Sequence, residues 1–244
     1  MIPPYTLIIP YYKTPEITRL ALRSIRRFCR AEHEIIVIDN APDSPESAML
    51  QEFPEIRRIE NRSGLTGSPA NFEAIDIGVK EARHDLLGLL HSDTIFLREG
   101  WDEEQFGYME KHDLAVLGTF EREASPHRPL HRKIRDIFFD FVHSNRPQRG
   151  SRKKLMLFFL LTRASVLREL NFSFMKSGHL LPIHLESVQN GLETLSCLEI
   201  SRFMWHTSNV TSLLTGQMDD PKMAKNFRKK REMLLQDNVI RELL

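Results

Sequence analysis

The chain has 244 residues, enough to bury one large core or two modest ones, and its 41% hydrophobic and 27% charged residues read as a globular protein. A net charge of +1 excludes a global attraction to nucleic acid. No apolar stretch reaches the roughly 18 residues of a membrane span, and Met1-Ile2-Pro3-Pro4 lacks a charged-then-apolar leader, so a cytoplasmic protein is expected.

Residues 6–12 read as a strand, with Pro10 acceptable only at a strand end or edge. Pro15 and Glu16 then open a helix whose apolar positions are Ile17, Leu20, Ala21, Ile25 and Phe28. Residues 34–38 form the next strand, which ends in Asp39-Asn40, and the order strand, helix, strand makes a right-handed parallel unit. Ser44-Pro45-Glu46 opens a short helix, 56–59 is a short strand, and 61–67 is a polar loop. Ser68-Pro69 starts a helix with Phe72, Ile75, Val79 and Ala82 on its apolar face. It leads to the apolar run Leu86 to Leu90, which suits a strand buried on both faces and empties into His91-Ser92-Asp93.

Further on, the pattern predicts a helix over 101–111, a strand over 114–118, a strand over 155–161, a helix over 163–170, another over 183–195 and a strand over 200–205 that runs into His206. The tail from 221 onward is helix-prone and charged. Basic residues concentrate in 122–154 and again in 222–231, two local patches on a nearly neutral protein.

Three strands thus end in polar clusters, Tyr11-Tyr12, Asp39-Asn40 and Asp93, and ligands of open α/β sheets bind at such carboxyl ends. Aspartates there suit a nucleotide with a divalent metal. Asp39 can accept the imide N–H of uracil or thymine, Tyr12 can stack on the base, and Asp93 can ligate Mg2+ or Mn2+ against a diphosphate. Neither of the common glycine-rich phosphate loops is present.

The stretch Leu7-Ile8-Ile9-Pro10-Tyr11-Tyr12-Lys13, then Pro15-Glu16, then residues 34–43 ending Asp39-Asn40-Ala41-Pro42-Asp43, resembles family 2 glycosyltransferases of the GT-A fold. Asn61, Gly67 and Asn71 fall where that family has a loop and helix of asparagines and glycines. His91-Ser92-Asp93 occupies the place of its D-x-D motif. The resemblance covers about residues 5–120. It implies an α/β, Rossmann-like, mostly parallel sheet flanked by helices with a helical C-terminal extension. Residues 1–120 would be the nucleotide-sugar half, 121–215 the acceptor half with a basic insertion, and 216–244 the tail.

By the same resemblance, Pro10 and Tyr12 contact the nucleoside, Asp39 pairs with the base, Asn71 belongs to the donor site, and Asp93 binds a divalent ion and the diphosphate. His91 replaces the first aspartate of the motif, and an imidazole suits Mn2+ better than Mg2+. His206 is the candidate second metal ligand, as some relatives carry a late histidine. The family inverts the anomeric centre and needs a general base; the usual acidic pair is missing, and Glu186 is the nearest candidate. The partners implied are a nucleotide-sugar donor and a glycan or glycolipid acceptor, with no nucleic acid. The basic patches suit a phosphate-bearing acceptor, an anionic membrane surface or plain solvation. Two rivals stay open: a sugar nucleotidyltransferase, which would need a glycine-rich loop after the first strand, and a non-catalytic sugar-nucleotide-binding or scaffolding protein, for which the altered motif argues.

Overall fold

Tyr5–Tyr11 forms β1, the strand around which the sheet is built, and its side chains alternate between two buried faces. The coordinates, a computed structural model, describe residues 2–120, 124–125, 155–179, 181, 191–206, 214 and 221–244. Helix α1 (Pro15–Phe28) follows, with proline in its first turn, Glu16 near its N-terminus and Arg26 and Arg27 in its last turn, as the helix dipole favours. Strand β2 (His33–Asp39), a 3-10 helix (Pro45–Glu52), β3 (Ile56–Glu60), α2 (Gly67–Glu81), β4 (Leu86–Leu90), the two-residue β5 (Ile95–Phe96), α3 (Trp101–Lys111) and β6 (Val116–Gly118) complete the first half.

Beyond it lie β7 (Phe159–Arg163), α4 (Ala164–Glu169), α5 (Phe174–Ser177), β8 (Leu192–Thr194), α6 (Cys197–Ile200), β9 (Met204–Trp205), α7 (Pro221–Leu235) and α8 (Asn238–Leu243). Among the described residues one sheet runs β3-β2-β1-β4-β7-β6-β8, and β5 pairs with β9 separately. The first four strands are parallel, β7 is antiparallel to both β4 and β6, and β8 is parallel to β6.

Both sheet faces are covered. Tyr5, Leu7, Ile9 and Tyr11 join Leu20, Ala21 and Ile25 of α1 on one side, while Ile8, Leu87 and Leu89 meet Ile75 of α2 on the other. Gly78 allows that second approach, since a Cβ there would lie 2.3 Å from Ile8 Cγ2. Pro10 is the penultimate residue of a central strand, so it stands at a strand end and not on the edge of the sheet. The Tyr11 carbonyl accepts from Asn40 on the β2 side, so alternation turns the Pro10 nitrogen toward β4. Pairing with β4 has already ended at Ile8, so no ladder bond is lost where β4 peels away and the cleft opens.

Three expectations are corrected. The strand expected over 155–161 begins only at Phe159, because the preceding backbone is drawn aside: Met156 donates to the Thr119 carbonyl and the Phe158 carbonyl accepts from Thr94 Oγ1. The helix expected over 183–195 ends in strand instead, as Leu192–Thr194 pairs with β6; residues 182–190 lie outside the described residues. Of the strand expected over 200–205 only Met204–Trp205 is extended, since Ser196 and Glu199 form a reciprocal capping box that starts α6 at Cys197.

Candidate active site

The parallel register brings the predicted strand ends together. Tyr11 is level with Asp39, and Asp39 with Glu60, so Tyr12, Asn40 and Asn61 emerge at one sheet edge beside the segment that leaves β4. Asp39 and the exit of β4 flank β1 on either side, two strand spacings or roughly 10 Å apart.

A turn with Thr94 N donating to the His91 carbonyl places His91 and Asp93, and Thr94 Oγ1 ties that turn to Phe158. β5 follows at once and pairs antiparallel with β9, Ile95 opposite Trp205, which sets His206 across from Thr94. On its other side His206 exchanges both backbone hydrogen bonds with Ala124. Residues 93 and 206 thereby meet: His206 Nε2 lies 3.5 Å and His91 Nδ1 4.0 Å from Asp93 Oδ1. Asp93 and His206 are buried and His91 is a third exposed. The His206 ring stacks on Phe158 at 3.9 Å between centroids, nearly parallel, and His91 approaches both rings.

Burial alone would raise the Asp93 pKa; the neighbouring His206 and His91 override it and hold the carboxyl below its ordinary value. Burial pushes His91 down to about 4, against the attraction of Asp93 and helped by His206 and His179. The donor atoms of His91, Asp93 and His206 all lie within 4.8 Å of one another. Two ligands about 2.1 Å from a common ion are separated by about 3.4 Å at the tetrahedral angle, so the observed spacings suit a divalent metal after small torsional adjustment. His206 Nδ1 is buried without a hydrogen-bond partner among the described residues, so no competing bond turns Nε2 away from Asp93.

At the nucleoside end Pro10 is buried and Tyr12 half-buried, with Lys13 Nζ 5.6 Å from the Tyr12 ring centre. Asp39 is completely buried. Its Oδ1 accepts from Ala41 N at 3.0 Å, and its Oδ2 accepts from Arg58 Nε at 3.1 Å. Asn61 Nδ2 bridges Asn40 Oδ1 and Glu73 Oε2, and Asn71 is half-buried in the N-terminal part of α2. Glu186 lies outside the described residues. Sequence reasoning missed Arg58, Phe158 and His179. Arg58 had one visible signal, a charged pair inside a short strand; the Phe158 stack and the bond from His179 Nδ1 to the Leu155 carbonyl depend on contacts between segments.

No curated protein matched the chain. Solved structures of S. aureus TarS do: residues 1–349 with UDP align at a TM-score of 0.57 and 13% identity, over 84% of this chain and 60% of that one. The complex with UDP-GlcNAc aligns at 0.55 and 15% identity, over 85% and 59%. The chain therefore spans about three fifths of the TarS segments it matches, and at this identity the likeness shows the fold, GT-A. The family model "Glycosyl transferase family 2" matches residues 6–171, more than half of the sequence, and the chain belongs to that family.

Proposed function

We propose that this protein transfers a sugar from a nucleoside diphosphate sugar, UDP- or dTDP-linked, to a hydroxyl of a glycan or glycolipid, with inversion. The observation that carries the reading is the convergence of His91, Asp93 and His206 at the sheet edge that also holds Asp39 and Tyr12. Pro10, Tyr12 and Asp39 hold the nucleoside end, and Asn71 lies with the donor. Asp93 and His206 would hold a divalent ion, Mn2+ or Mg2+, which when bound would supply positive charge to neutralise the departing diphosphate. The acceptor oxygen attacks the anomeric carbon from the face opposite the diphosphate. Its proton passes to the base, for which Glu186 is the candidate, as the bond to the diphosphate breaks. The TarS complexes with UDP and UDP-GlcNAc support a donor of this class.

Among the described residues no helix is long and apolar enough to cross a membrane. A cytoplasmic location fits this reading. Exposed Lys225, Arg228, Lys229 and Arg231 on α7 suit peripheral contact with an anionic surface.

Incubation with a panel of nucleotide sugars and Mn2+ should release nucleoside diphosphate slowly even without acceptor, and Asp93→Ala should abolish the release. A protein that neither binds nor turns over any donor is a scaffold, and the enzymatic reading fails. Full transferase activity in Glu186→Gln would exclude Glu186 as the base.

A further inference from the structure

Asp39 faces its expected ligand with nothing exposed. Its side chain is 0% accessible, Oδ1 is engaged by the Ala41 amide, and Oδ2 by the Arg58 guanidinium at 2.8 and 3.1 Å. Arg58 is different: its side chain is 26% exposed. It rises from β3 opposite Val37 and bends over the carboxyl end of β2, where its Nη2 also reaches the Pro42 carbonyl at 3.3 Å. A guanidinium carries five N–H donors. Nε and Nη2 are engaged by Asp39 and the Pro42 carbonyl, with Glu60 Oε1 a further 3.6 Å from Nη2, whereas Nη1, with two N–H groups, has no hydrogen-bond partner among the described residues.

We propose that Arg58 is the residue that touches the nucleobase, donating from Nη1 to a carbonyl oxygen of the pyrimidine, and that Asp39 is a positioning residue acting through it. This rests on the nucleoside diphosphate reading above and refines it. A buried carboxylate gripping the edge formed by Nε and Nη2 fixes the plane of the guanidinium, so the remaining donors point in one direction without loss of side-chain freedom on binding. Uracil and thymine offer two carbonyl oxygens, at C2 and C4. Adenine has no carbonyl, so a donor-only reader discriminates against it; cytosine keeps the C2 carbonyl but presents an amino donor at C4, so it is rejected where the oxygen read is O4.

The test is calorimetric binding of UDP, 2-thio-UDP and 4-thio-UDP to the whole protein, with Mn2+ present. A thiocarbonyl is a much weaker acceptor than a carbonyl. One thio analogue should bind the wild-type protein at least about tenfold more weakly than UDP, the usual size of a hydrogen bond to a charged group. In Arg58→Met that penalty should vanish, UDP and its analogue then binding alike. Arg58→Lys keeps a charge beside Asp39 and serves as the folded control where the methionine variant melts early; it too should lose most of the penalty.

The proposal is overturned where neither analogue is penalised in the wild type, or where the penalty survives both substitutions. Failure of the wild type to bind UDP and dTDP at all would strike the donor class itself, a different result from equal binding of UDP and both thio analogues.

Discussion

Replacing His91 by aspartate tests the composition of the metal site. The candidate donors are two imidazoles and one carboxylate, with His91 Nδ1 4.0 Å from Asp93 Oδ1. Imidazole favours transition ions, whereas Mg2+ prefers an all-oxygen shell. The native site should therefore bind Mn2+ or Co2+ well and Mg2+ poorly. His91→Asp supplies a second carboxylate and should lower the Mn2+ to Mg2+ affinity ratio about tenfold, or about 1.4 kcal/mol.

The same change has a cost without metal. Two carboxylates about 4 Å apart repel by about 4 kcal/mol at an effective dielectric near 20. A third of the native side chain at 91 is exposed, so rotation into water leaves about 1–2 kcal/mol of that repulsion. In a chain of this size each kcal/mol moves Tm by about 2–4 °C, so the variant should melt about 2–8 °C lower in EDTA and recover with Mn2+. Free Mn2+ measured by electron paramagnetic resonance, with Mg2+ as competitor and thermal melts in parallel, reads both effects. An unchanged ion preference in His91→Asp, alongside loss of Mn2+ binding in His206→Ala, would remove His91 from the coordination sphere.

Phe158→Leu keeps most of the buried volume and should cost less than about 1.5 kcal/mol, against about 3–5 for Phe158→Ala. Because the His206 ring loses the face it stacks on, Mn2+ affinity should nonetheless fall severalfold, and an unaltered affinity would show that Phe158 does not position His206. In EDTA the fold should lose stability as pH drops from 6.5 toward 4, because the unfolded chain binds a proton at His91 that the folded protein refuses. Discounted for solvent exposure the loss is about 1–2 kcal/mol, and urea midpoints for His91→Gln should show a shallower slope across that window. Gly78→Ala drives a methyl group toward Ile8 and should cost about 1–3 kcal/mol; an unshifted urea midpoint would refute the close approach of α2 to β1.

How much of this could be read from the chain alone depended on where each interaction lies in sequence. Strands β1 to β4 and helices α1 to α3 carry their signals locally, in apolar periodicity, Pro15 and the polar ends at Asp39 and Asp93, and they form as expected. The second half is built from strands of two to five residues, too short for periodicity to register, and its helices start at local bonds such as the Ser196 to Glu199 capping box. Hydrophobicity alone made 155–161 look like one strand, yet residues 155–158, three of them buried, run as irregular backbone held by bonds to Thr94 and Thr119.

The site follows the same division. Asp93 and His206 are each conspicuous in the sequence, but 113 positions separate them, and the number that matters is the 3.5 Å between them. That distance comes from β5 and β9, two residues each, which no single-chain pattern would identify as partners. Burial of Phe96 against Trp101 and of Trp205 in the same core holds the pair in register, and a slip of one residue would turn the His206 side chain to the opposite face. The nucleoside end departs from expectation in the other direction. Asp39 looked like a ligand because it ends a parallel strand, and the structure puts it there, but an arginine three positions into β3 covers it. A charged residue on a short edge strand passes for surface in a sequence. Its partner is visible only once β2 and β3 lie side by side, which is why the selectivity of this family member is to be sought in Arg58 as much as in Asp39.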